Sequence, residues 1–155
     1  FYVYNNTGIG FRTFAGGILA GLGTLFFLVL NGLVIGGIAG YLTELGYVET
    51  FWGFVIGHGA FELVAIVISG MAGLLLGKAI IAPGNLRRVE ALKRNASQAV
   101  ILISGAAGMF FTAALIEAFW SPLAIPAAIK FIVGAFLWLL VFFYLFLTGR
   151  NRDAA

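Results

Sequence analysis

His58 and Glu62 stand four residues apart in Gly57-His58-Gly59-Ala60-Phe61-Glu62-Leu63, inside a long apolar run. On a helix that spacing puts them on one face, about one turn apart. Glu117, Lys130 and Asn31 are also set in apolar surroundings. Such groups cost roughly 2.5 to 3.5 kcal/mol each in hydrocarbon on insertion scales, so they are expected to satisfy one another. His58, Glu62 and Glu117 together offer one imidazole nitrogen and two carboxylates, a donor set acceptable to zinc or another non-haem metal. The same groups could hand on protons or ions, or form a polar network that only fixes helix packing, and residue types leave all three open.

Several chemistries are excluded. No second histidine and no HExxH spacing exist for a zinc peptidase, and one histidine with no acidic partner beside a nucleophile builds no triad. The glycines lie within apolar runs with no Lys-Ser/Thr after them, so there is no phosphate loop. The chain is therefore expected not to be an enzyme, and to carry no cofactor beyond the candidate metal.

The elements that must position these residues are membrane spans. Of 155 residues, 62% are hydrophobic and 10% charged, against about 25% charged in soluble domains; mean hydropathy is +1.08. There is no cysteine and a net charge of only +3, so disulfides, thiolate sites and nucleic-acid binding are not expected. The sequence predicts an all-α transmembrane bundle, a single domain with four spans at about 13–43, 60–81, 99–119 and 126–147. The glycines flanking His58 suggest a break, with 51–57 as a re-entrant or interfacial segment. Phe1, in place of methionine, suggests a piece of a longer chain. Gly17 and Gly21, then Gly32, Gly36 and Gly40, then Gly70 and Gly73 offer small-residue faces for close helix packing.

Residues 83–97 read as a basic amphipathic helix on the membrane surface, with Arg87, Arg88, Lys93 and Arg94 on its polar side. An excess of Lys and Arg marks the cytoplasmic face, which puts this loop and both ends of the sequence in the cytoplasm and the acidic Glu44 to Glu49 link outside. At about 1.5 Å per residue, Glu117 then lies some 5 Å inside the outer end of its span and Lys130 some 6 Å inside the next. His58, Glu62, Glu117 and Lys130 are thus expected to be neighbours in the outer half, with Asn31 as a further polar partner.

The pieces Asn5-Asn6, Gly17-Ile18-Leu19-Ala20-Gly21-Leu22-Gly23-Thr24, Asn31-Gly32, His58-Gly59-Ala60-Phe61-Glu62-Leu63, Ile68-Ser69-Gly70-Met71-Ala72-Gly73 and Ile116-Glu117-Ala118-Phe119-Trp120-Ser121-Pro122, in this order, resemble the stage II sporulation protein M family of prokaryotic membrane proteins. The likeness runs from about Asn5 to Leu147. It implies a multi-pass protein of the cytoplasmic membrane that scaffolds or anchors other membrane or envelope proteins. By resemblance these would be peptidoglycan hydrolases in spore-formers or a MoxR-type ATPase system elsewhere, with self-association also open. A transporter or channel using the His/Glu site is the alternative.

Overall fold

In the computed structural model, which describes residues 2–150, five helices follow one another: α1 (Tyr2–Ala15), α2 (Leu22–Glu44), α3 (Val48–Ile81), α4 (Arg88–Leu115) and α5 (Ala127–Arg150). A π-helical turn over Ile116–Trp120 continues α4. The described residues contain no strand, so the all-α expectation holds. Four helices, counting α4 with its π turn, are long and apolar enough to cross a bilayer. The chain is a multi-pass membrane protein.

α3 is the hub. It packs against each of the other four helices, whereas α5 makes substantial contact with α3 alone. With 34 residues α3 is about 51 Å long, longer than a hydrocarbon core of about 30 Å is thick. Its neighbours meet it through layers of small residues. Ala72, Leu76 and Ala99 form one buried cluster, with Phe14 and Leu92 against it. Ala65, Ile66, Ala106 and Phe110 form a second, nearer the polar residues. In lipid, where apolar burial drives little helix association, this close approach supplies the van der Waals contact that holds the bundle.

Three expected boundaries are corrected. The first span does not begin at residue 13. α1 ends at Ala15, and a 3-10 turn over Gly16–Ile18 leads to Ala20 at φ 54° and Gly21 at φ 82°. Two successive left-handed residues cannot continue a helix, so the chain reverses there and only α2 spans. α1 then runs beside α3 within the bundle, and Asn6 reaches the level of Glu62. The first described residues thus lie well away from the basic α3–α4 turn, in contrast to the expected cytoplasmic start.

Second, α3 is continuous through Gly57-His58-Gly59, so 51–57 is no re-entrant segment and the span does not start at residue 60. Ile116 and Trp120 pack beside Gly57, where an added Cβ would stand in van der Waals contact at 3.4 Å and 3.5 Å. Third, residues 88–97 are the first turns of α4 rather than a separate surface helix. Their apolar side docks on α3: Ala91 is buried, and the Asn95 side chain donates to the Leu75 carbonyl at 2.8 Å. Arg87, Arg88, Lys93 and Arg94 are exposed as expected. The Arg87 main-chain N–H donates to Glu90 at 3.3 Å, capping the helix start. Arg152, used for the orientation, lies outside the described residues.

The glycine faces divide. Gly17 packs on the Gly73 backbone, Gly21 on Gly77, and Gly70 on Leu28, as expected of packing residues. Gly32, Gly36 and Gly40 do not pack on any of the described residues: an added Cβ would meet none of them within 4 Å. They form an open row on the flank of α2, since the residues that α2 turns inward are Thr24, Leu28, Asn31, Ile35 and Ala39.

Candidate functional site

The helical spacing of His58 and Glu62 and the end of α4 produce the expected meeting. Ligand atoms of His58, Glu62 and Glu117 all lie within 4.8 Å of one another. His58 Nε2 is 3.9 Å from Glu62 Oε2. The His58 ring is edge-on to Phe54, one turn earlier, with centroids 5.4 Å apart, which restricts its rotation.

The π turn supplies the α4 side. Ser121 N–H donates to the Ile116 carbonyl at 2.8 Å, the i to i+5 bond that widens the helix by one residue. The widened turn carries Glu117 towards Glu62, while Ser121 Oγ comes to 3.1 Å from His58 Nδ1. Trp120 lies against Gly57. π bulges of this kind recur at functional sites.

Asn6 joins the two carboxylates. Its amide donates to Glu62 Oε2 at 3.0 Å and to Glu117 Oε2 at 3.2 Å, and Asn5 donates to Asn6 Oδ1 at 3.2 Å. Asn6 is 2% exposed. The Asn5-Asn6 pair is one of the pieces that carry the family likeness, but ahead of the first apolar run its position gave no sign that it partners the two glutamates. Among the described residues no buried side-chain nitrogen or oxygen lacks a partner.

Lys130 and Asn31 are placed otherwise than expected. Lys130 Nζ donates to the Ser121 carbonyl at 2.7 Å, its aliphatic stem passing beside Gly53. It therefore touches the cluster through Ser121 and ion-pairs with neither glutamate. Asn31 is not in the cluster. It lines a small cleft with Ile9, Arg12, Thr13 and Leu30, because α2 presents that face to α1 rather than to α4.

α1, α3, α4 and α5 are thus linked by one polar chain, Asn6 to Glu62 and Glu117, and His58 to Ser121 to Lys130. Chemically the arrangement can fix the depth and rotation of four helices, and its nitrogen and carboxylate oxygens can hold a cation. No curated protein and no solved structure matches the chain. The family model of Stage II sporulation protein M matches residues 1–122, which take in the first four helices and every residue of the cluster except Lys130. α5 lies beyond the match, which ends sooner than the motif likeness suggested. With more than half its length matched, the chain belongs to the stage II sporulation protein M family.

Proposed function

We propose that the protein is a scaffold of the cytoplasmic membrane whose α2 flank docks a helix of a partner membrane or envelope protein. The observation that supports this is the row Gly32, Gly36 and Gly40, repeated every four residues and open on the chain's own surface. Only 17% of the apolar stretch of α2 is buried within the chain, against 50% for α3. In water an apolar wall needs covering, but in lipid it does not; what distinguishes this flank is its smallness, which lets a second backbone approach. The positive-inside rule sets Arg87, Arg88, Lys93 and Arg94 in the cytoplasm, and family resemblance points to peptidoglycan hydrolases or a MoxR-type ATPase system as partners.

Gly36→Leu tests the reading. Because none of the described residues lies within 4 Å of an added Cβ, the variant is expected to melt as the parent does. Recovery of the partner on co-purification should fall at least about tenfold, the equivalent of some 1.4 kcal/mol. Undiminished recovery would exclude α2 as the docking face. A second reading, an ion-handling membrane protein, draws on the meeting of His58, Glu62 and Glu117. Under it Glu117→Gln stops flux in reconstituted vesicles, whereas a scaffold shows no such flux and keeps its partners in that variant.

A further inference from the structure

We infer that His58, Glu62 and Glu117 bind one divalent transition-metal ion of the zinc class between α3 and α4. The inference rests on the cluster and not on the docking face of α2.

The donors fit the ion. Imidazole nitrogen and carboxylate oxygen are ordinary zinc ligands, held at about 2.0 to 2.2 Å. Two of the three come from one helix at i and i+4, and the third from the π turn facing them. Their ligand atoms lie within 4.8 Å of one another, whereas ligands on a tetrahedral zinc are roughly 3.3 Å apart. Closure by up to about 1.5 Å at the widest pair is needed, which rotation of two glutamate side chains can supply.

His58 is the independent sign. It is 5% exposed, and its Nδ1 is held by Ser121 Oγ at 3.1 Å. Its Nε2 is turned towards Glu62 Oε2, at 3.9 Å. A ring anchored through one nitrogen with the other aimed at carboxylates is the pattern of a metal-ligating histidine, whose outer partner fixes tautomer and orientation.

Charge gives the same answer. Neither glutamate has a Lys or Arg within ion-pair distance among the described residues; their one common donor is the neutral Asn6 amide. Lys130 is engaged by the Ser121 carbonyl. Two carboxylates in an apolar setting are costly without a cation, and a divalent ion balances both. A cavity of about 390 Å³, lined by Glu49, Phe54, Ser121 and Lys130 among others, reaches the outer partner Ser121.

The test uses the whole chain in nanodiscs, treated with chelator and titrated with Zn²⁺ by competition with a chromogenic chelator. One equivalent is expected to bind with a Kd of about 1 μM or tighter, and Glu62→Gln and Glu117→Gln should each weaken it by at least about a hundredfold. Ser121→Ala, which removes only the outer partner, should weaken it by about ten- to a hundredfold. Co²⁺ loaded into the parent should show d–d absorption of a site with one imidazole, a readout that needs no variant to fold. No stoichiometric binding to the folded parent would overturn the assignment. So would binding that Glu62→Gln and Glu117→Gln leave unchanged, or Co²⁺ spectra without imidazole.

Discussion

Gly73→Val should separate α1 and α2 from the hub helix and lower the melting temperature in detergent by about 10 °C or more. A Cβ at residue 73 would collide with Thr24 Oγ1 and stand 2.9 Å from the carbonyl oxygens of Thr13 and Phe14. Two of those three neighbours are backbone, in the last turn of α1, and cannot swing aside as a side-chain end can. Thr24 is itself fixed: it is fully buried and donates to the Thr13 carbonyl at 2.7 Å. Overpacking typically costs about 1 to 3 kcal/mol and more where backbone must move, and for a chain of this size each kcal/mol is worth about 2 to 4 °C. Gly105→Val is the control, since a Cβ there meets nothing within 4 Å; it should melt within about 2 °C of the parent. Thermal unfolding followed by circular dichroism separates the two, and equal melting would show that α1 does not pack on α3 at Gly73.

Asn6→Leu should be nearly as damaging, by about 3 kcal/mol, although it replaces one side chain with another of similar size. The amide donates to Glu62 and Glu117 from one nitrogen. Leucine leaves both carboxylates without that donor, and removing one partner of a buried polar network costs far more than the network contributes in net stability. The effect should depend on charge. In a Glu117→Gln background the new amide can donate to Glu62, so Asn6→Leu there is expected to cost roughly half as much. A double-mutant cycle on thermal or denaturant unfolding measures that coupling. Strict additivity would show that Asn6 does not join the two carboxylates.

The features legible in the sequence were those carried by local spacing. His58 and Glu62 at i and i+4 fixed their shared face, and the counting of depth from Trp120 correctly brought Glu117 to them. Membrane class followed from composition, and Gly17, Gly21, Gly70 and Gly73 were rightly read as packing residues. The misreadings arose where a residue's meaning depends on a neighbour remote in sequence. Gly57 and Gly59 resembled a break because glycine weakens an isolated helix, yet Gly57 is where Trp120 packs. The real break, at Ala20-Gly21, was masked because one of its two left-handed residues is an alanine. Asn31 looked like a member of the cluster because an amide in an apolar run needs a partner, but which helix it faces is set by the α1–α2 turn. The π turn at Ile116–Trp120 has no local sequence signature; it shows only in the i to i+5 bond of Ser121.

The claim that the α2 flank docks a partner is tested most directly by photo-crosslinking from single positions of α2 in the native membrane. Val29 and Leu33 lie on or beside the glycine row, while Val34 and Ile38 are about 200° of helix rotation from Gly36. All four are at least 50% exposed, so a photoreactive residue at any of them leaves the bundle intact. Protein adducts are expected from Val29 and Leu33, lost when Gly36→Leu is added, with only lipid adducts from Val34 and Ile38. Adducts of equal yield at all four positions, or to lipid alone throughout, would contradict a docking face on α2.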